Sequence, residues 1–154
     1  MNKHIRFTTH LTNEGATLAF GVRLAQAVKS GVILYLDGQL GAGKTTLTRG
    51  FLRGLGYQGK VKSPTFTLVE PYEVSGKKIF HFDFYRLDHP EELMHIGIAE
   101  YFDPGSVCLI EWPEKGYPVL PEADLICHIA IEPEGRSLRL EARSQRGDEI
   151  LKLL

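Results

Sequence analysis

Residues 33–52 read ILYLDGQLGAGKTTLTRGFL. The apolar run Val32 to Leu36 leads into Gly38-x-x-x-x-Gly43-Lys44-Thr45. Leu47, Phe51 and Leu55 then recur at i, i+4 and i+8, with Gly56 as a stop. The run has the near-continuous character of a strand buried on both faces, and the recurrence predicts an amphipathic helix from about Lys44 to Leu55. Strand, glycine loop and helix in this order form a phosphate-binding unit: backbone N–H groups converge on phosphate oxygens, and the helix N-terminus faces their charge. Gly38, Gly41, Ala42 and Gly43 would supply that cradle and Thr46 would follow in the first turn. Lys44 would reach the β- and γ-phosphates, and the Thr45 hydroxyl would bind magnesium. The expected ligand is a nucleoside triphosphate with Mg2+. A glycine-rich turn without a ligand is the alternative, and the flanking strand and helix speak against it.

The rest of the chain is organised around this unit. With 154 residues, 43% hydrophobic and 24% charged, it suits a single domain over 1–154 with a sizeable core. HIRFT reads as a short strand. Thr12 or Asn13 caps a predicted helix over about 14–29, with Leu18, Val22, Ala25 and Val28 on one face and Gly31 beyond its end. TFTLVEPYEV and KIFHFDFYRL read as strands joined at Ser75-Gly76-Lys77, HPEELMHIGIAEYF as one or two short helices, and SVCLIEW as another buried strand. ADLICHIAIE and SLRLEAR flank Glu134-Gly135 as a hairpin. Strands interleaved with helices predict an α/β fold: a P-loop NTPase-like three-layer sandwich, its mixed sheet parallel near the loop and antiparallel at an edge.

Charge and cysteine usage narrow the setting. A net charge of −1 provides no global positive field, so RNA contact needs a local patch or a partner that carries the RNA. Cys108 and Cys127 sit in apolar runs, which predicts buried free thiols and a reducing compartment. The six histidines show no ligand spacing beside a cysteine, so no zinc site is expected. The start lacks a signal-peptide apolar region, and no run approaches the ~20 apolar residues of a membrane span. The expectation is a cytoplasmic protein with no membrane contact.

A phosphate loop needs an acid to complete a metal site. Two apolar strands end in one, at Asp83 and at Glu111, and strand C-termini beside such a loop are where open α/β sheets bind ligands. Either acid could hold magnesium while the other orients or deprotonates the attacking water; a strand-end carboxylate paired with Arg86 is the alternative for Asp83. Ser63-Pro64-Thr65-Phe66-Thr67 fits a nucleotide switch that brings a threonine to the γ-phosphate, and it fits an ordinary turn equally well. Trp112, the only tryptophan, reads as core filler or as a partner-facing anchor. Arg49, Arg53, Lys60, Lys62, Lys77 and Lys78 could form a basic surface, though solvated charges explain them more simply.

Taken together, GQLGAGKTT, SPTFTLVEPY, HFDFYRL with PEEL, and LIEWPEKG resemble the TsaE (YjeE) family of bacterial ATPases for tRNA threonylcarbamoyladenosine biosynthesis, in order over about residues 14–140. Gln39 departs from the acidic residue or asparagine expected there, at a position whose side chain is not needed to cradle phosphate. The resemblance implies ATP binding and slow hydrolysis by the chain alone. It also implies action on a TsaB–TsaD pair, which transfers threonylcarbamoyl to adenosine 37 of tRNAs reading codons that begin with A; the ATPase docks on the pair and resets it. Carried over by motif, Thr45 and Glu111 are magnesium ligands, Asp83 the Walker B-like acid, and Thr65 part of a switch-like segment. Trp112 lies near the nucleotide or partner surface, and Thr12, Asn13 and Arg136 near the base or ribose.

Two other readings compete. GAGKTT also opens many small-molecule kinases, but those close an arginine-bearing lid over the phosphates. Here Arg136, Arg139, Arg143 and Arg146 are spread along a strand-like tail. A GTPase switch would carry N-K-x-D for guanine selection, which the chain lacks.

Overall fold

The structure, a computed structural model, describes residues 4–29 and 31–154; residues 1–3 and 30 of the expected 1–154 domain lie outside the described residues. Seven strands form one sheet: β1 (Arg6–Leu11), β2 (Val32–Asp37), β3 (Val69–Val74), β4 (Lys77–Asp83), β5 (Val107–Glu111), β6 (Leu125–Ile131) and β7 (Arg136–Ala142). Their order is β1-β7-β6-β2-β5-β4-β3. The inner four, β4, β5, β2 and β6, run parallel. Antiparallel pairs close both sides, β3 on β4 and β7 with β1 on β6. The sheet is mixed as expected, with antiparallel borders at two edges where one was anticipated. Among the described residues no helix is long and apolar enough to cross a membrane.

Side chains alternate across a strand, and the two faces of the sheet build two apolar layers. Leu34, Leu36, Ile79 and Leu109 pack toward α1 (Glu14–Ala27), α2 (Lys44–Gly54) and α4 (Gln145–Leu151). Tyr35, Phe82 and Ile110 face the opposite side, covered by Phe84, Leu87, the one-turn α3 (Glu92–His95) and a 3₁₀ turn at Ile98–Tyr101. The outer layers are therefore unequal, with three helices on one face and single turns on the other. Cys108 and Cys127 are free and buried, and burial pushes both thiols up, Cys108 to about 12.

Local chemistry sets the element ends. Asn13 caps α1, its Oδ1 accepting from the Ala16 N–H at 2.9 Å. β1 extends beyond HIRFT to Leu11 because all six of its residues pair with β7. TFTLVEPYEV is strand only from Val69: Leu68 takes a left-handed φ of 68° and donates to the Pro64 carbonyl at 2.8 Å, which closes a turn first. Ser75 and Gly76, at φ 51° and 78°, make the two-residue hairpin turn between β3 and β4.

The buried face of α1 differs from the expected one. Thr17, Phe20, Gly21, Leu24, Ala25 and Ala27 are buried, whereas Leu18 and Val22 are half-buried. The cause is a close backbone approach to α2. A Cβ on Gly50 would lie 2.2 Å from the Leu18 carbonyl oxygen, and one on Gly21 2.4 Å from that of Leu47. Glycine there lets the two helices touch backbone to backbone, and the side chains of Leu18 and Val22 flank the contact instead of filling it.

Candidate functional site

The glycine loop leaves the C-terminal end of β2, in the middle of the sheet. Gly41 and Gly43 hold φ of 80° and 112°, where other residues would be strained. Gly38 packs so closely on β6 that a Cβ would fall 2.6 Å from the Ile129 carbonyl oxygen. Gly43 caps α2 without any side-chain hydrogen bond, which leaves the first-turn N–H groups free for an anion. On the far side, the Arg136 guanidinium donates to the carbonyls of Ala42, at 3.0 Å, and Gly41, at 3.2 Å. Loop carbonyls are thereby fixed by the start of β7.

Lys44 is 5% exposed, and among the described residues it forms no ion pair. Its Nζ donates to the Gly38 carbonyl and lies 3.8 Å from the centroid of the Trp112 ring. Burial pulls its pKa below the usual lysine value, against the opposing pull of Glu111 and Asp83. Trp112 reaches the lysine from a left-handed backbone, φ 57°, immediately after β5, with Tyr85 packed on its ring at 5.1 Å.

The two acids meet because of strand register. Asp83 and Glu111 are partners on the parallel strands β4 and β5. They are in phase with Ile79 and Leu109, so they point to the α2 face, where Lys44 and Thr45 start the helix. Thr45 Oγ1 donates to Glu111 Oε2 at 3.3 Å. Asp83 accepts from Thr65 Oγ1 at 3.1 Å and from the Tyr85 N–H at 2.9 Å. Burial raises the Asp83 pKa above the usual carboxylate value; the Tyr85 N–H opposes the rise and the charge of Glu111 adds to it. The suggested Asp83–Arg86 pair is absent: Arg86 lies over the Phe66 ring, 4.4 Å from its centroid. Thr65, left between two readings, sits on Asp83 and is held by Ser63 at 2.7 Å.

Two cavities flank the loop between Gly41 and Thr46. One, of about 430 Å³, gathers Lys44, Thr45, Thr65, Asp83, Glu111 and Trp112, together with Tyr85 and Arg86. The other, of about 310 Å³, is lined by Thr12, Asn13, Thr17, Ala42 and Arg136. Gly41, Gly43 and Thr46 border both. Gly38 lines neither; with Asp37, Gln39 and Trp112 it borders a third cavity of about 370 Å³. The conjectured basic surface is partly committed elsewhere: Arg53 donates to the carbonyls of Tyr57 and Gly59, and Arg49 approaches Glu14 at 3.7 Å.

One functional candidate escaped the sequence reading. His81, fully buried, places Nε2 2.6 Å from Glu111 Oε2. The signal was available in the alternation Ile79, His81, Asp83 along β4, which puts the histidine on the face of the acids. For a nucleotide and magnesium the residues present fit: open N–H groups at α2, a buried lysine without a carboxylate partner, and a hydroxyl–carboxylate pair of hard oxygen donors.

A mixed sheet with this loop at the end of a central strand, and two acids at the ends of β5 beside it and β4 beyond, defines an α/β protein of the P-loop class. Residues 11–141 match the family described as threonylcarbamoyl adenosine biosynthesis protein TsaE. A Haemophilus influenzae protein named tRNA threonylcarbamoyladenosine biosynthesis protein TsaE is 48% identical over 149 residues, 94% of either chain. A Bacillus subtilis protein of the same name is 39% identical over 123 residues, covering 80% of this chain and 75% of its own. The crystal structure of YdiB from Bacillus subtilis aligns with a TM-score of 0.84 at 30% identity, covering 99% of this chain and 95% of that one. The chain belongs to the TsaE family.

Proposed function

We propose that the chain is a magnesium-dependent ATPase of tRNA threonylcarbamoyladenosine biosynthesis that acts on a TsaB–TsaD pair and resets it, meeting tRNA through that assembly in the cytoplasm. Family membership and the names of its relatives support involvement in the pathway. The observation that carries the hydrolase reading is the convergence of Lys44, Thr45, Asp83 and Glu111 on one cavity at the mouth of the glycine loop.

When bound, magnesium and ATP supply a phosphoanhydride bond and a cation that neutralises charge on the β- and γ-phosphate oxygens. Thr45 and Glu111 would hold the metal. Lys44, already desolvated, would direct its ammonium N–H groups to phosphate oxygens in place of the Gly38 carbonyl. Asp83, steadied by Thr65 and the Tyr85 N–H, orients or deprotonates the attacking water. Trp112 covers Lys44 and excludes water from that side. Thr12, Asn13 and Arg136 border the second cavity, where the base or ribose would lie.

ATP turnover by the wild type, Lys44→Ala, Thr45→Ala and Glu111→Ala, alone and with the TsaB–TsaD pair and tRNA, tests this reading. The first two variants should lose hydrolysis with an unchanged circular dichroism spectrum. Glu111→Ala should slow it more than about tenfold, or ~1.4 kcal/mol of barrier. The pair should stimulate the wild type. Absence of stimulation in every combination, or phosphate delivered to a small-molecule acceptor instead of water, would sink the proposal.

A further inference from the structure

His81 is an uneconomical residue for its position. It lies in the interior of β4, fully buried, in phase with the apolar Ile79 and opposite Leu109 of β5. An isoleucine or leucine would fill such a place without burying polar atoms. Its Nδ1 is buried with no hydrogen-bond partner among the described residues. The ring's one hydrogen bond among the described residues reaches diagonally across the strands to Glu111, at 2.6 Å. Since a carboxylate only accepts, Nε2 carries the hydrogen, and in the neutral imidazole the unpartnered Nδ1 is then a bare lone pair instead of a stranded donor.

The bond fixes one oxygen of a two-oxygen group. Glu111 Oε2 receives His81 Nε2–H and, more loosely at 3.3 Å, the Thr45 hydroxyl. Oε1 takes no hydrogen bond from the described residues, while the side chain lines the cavity that holds Lys44 and Asp83. A glutamate has three rotatable bonds; anchoring Oε2 from the core side removes that freedom and leaves Oε1 as the oxygen offered to the cavity. We infer that His81 is a positioning residue: its Nε2–H···Oε2 bond holds Glu111 in the orientation in which the carboxylate meets magnesium. This inference rests on the ATPase reading above, since it assigns Glu111 to the metal.

The side chain's reach provides the test. The amide nitrogen of glutamine falls near the place of Nε2, whereas that of asparagine falls near Nδ1, too short to touch Glu111. Trp112, the only tryptophan and the neighbour of Glu111, reports binding by its fluorescence. Magnesium chloride is titrated at saturating ADP into wild type, His81→Gln, His81→Asn and His81→Leu, and ADP is titrated separately in EDTA. His81→Leu and His81→Asn should need at least ~10-fold more magnesium for half effect, the range seen when a partner of a metal ligand is removed, with ADP affinity in EDTA within about twofold of wild type. His81→Gln should stay within about threefold of the wild-type magnesium midpoint. The inference is overturned if asparagine and glutamine behave alike, or if the leucine variant keeps the wild-type midpoint. It is also overturned if affinity falls equally with and without magnesium. Should His81→Leu fail to fold, the glutamine–asparagine contrast decides. A wild type whose ADP binding ignores magnesium would instead refute the underlying metal assignment.

Discussion

Gly50→Ala sets two well-known effects against each other. In an exposed helix interior, alanine in place of glycine gains about 1 kcal/mol. At Gly50 the new Cβ would meet the Leu18 carbonyl oxygen at 2.2 Å, its carbon at 2.9 Å and its Cα at 3.0 Å. These are backbone atoms of α1 and cannot rotate away. The closest is about 1.2 Å short of ordinary van der Waals contact, so the helices must separate by roughly that distance. Overpacking costs about 1–3 kcal/mol, and a clash this close with backbone falls in the upper part of that range, about 2–3 kcal/mol, which exceeds the propensity gain. The net expectation is a loss of ~1–2 kcal/mol, or a Tm lower by about 2–8 °C for a chain of this size. Thermal unfolding followed by circular dichroism measures it, with Gly105→Ala as the control: nothing lies within 4 Å of a Cβ there, and the substitution should be neutral or slightly stabilising. ADP affinity should fall with Gly50→Ala as well, because α1 carries Asn13 and Thr17 at its start, on the wall of the cavity beside the loop. A rise in Tm would refute the reasoning, since it would mean that α1 yields at no cost.

Other consequences can be checked one at a time. Trp112→Ala removes the aromatic cover of Lys44 and the packing against Tyr85; it should weaken capture by the TsaB–TsaD pair and tRNA modification in its presence, and unchanged values in both would leave the ring with a packing role alone. Cys108 and Cys127, buried and held as neutral thiols, should resist Ellman's reagent in the native protein at pH 8 and both react in denaturant; fast native labelling would contradict their burial. The Arg143 hydrogen bond, helped by His128, holds Glu141 below its ordinary value of 4.5. A depressed folded value means stability present above that ordinary pH and lost as pH falls through the folded value. The Tm advantage of wild type over Glu141→Gln should therefore be full above about pH 5 and shrink below pH 4.5; an advantage that grows on acidification would invert the assignment.

The loop, its strand and its helix were legible because each depends on local order: a glycine at a left-handed φ, an apolar run, a repeat of four. The acids were legible as strand ends, yet their meeting depends on register between β4 and β5, and no local pattern encodes which strands become neighbours. His81 was passed over for a related reason. A histidine among apolar residues reads as core until the facing strand shows a carboxylate within reach. Gly21 and Gly50 look like weak points in helices when each helix is read alone; only the partner helix shows that the missing side chain is the contact. The resemblance assigns Arg136 to the nucleotide; what the fold shows is its guanidinium gripping the carbonyls of Gly41 and Ala42, a long-range bond from β7 that composition could not reveal.

The pairing of Asp83 with Glu111 has a further consequence for how the molecule tolerates change. Their Cα atoms are partners across one rung of the β4–β5 ladder, so the gap between the acids is inherited from the strand spacing of about 4.8 Å. Residues 84–106 connect the two ends of that rung: Tyr85 stays with the site, its N–H on Asp83 and its ring on Trp112, and the rest runs over the thinly covered face of the sheet through α3 and a 3₁₀ turn. Beyond Leu87 that connection can be lengthened, shortened or remodelled to suit another surface without altering the ruler at its two ends. The spacing of the acids and the outer face are thus separable, and the chain can acquire new contacts on one while the other keeps its measure.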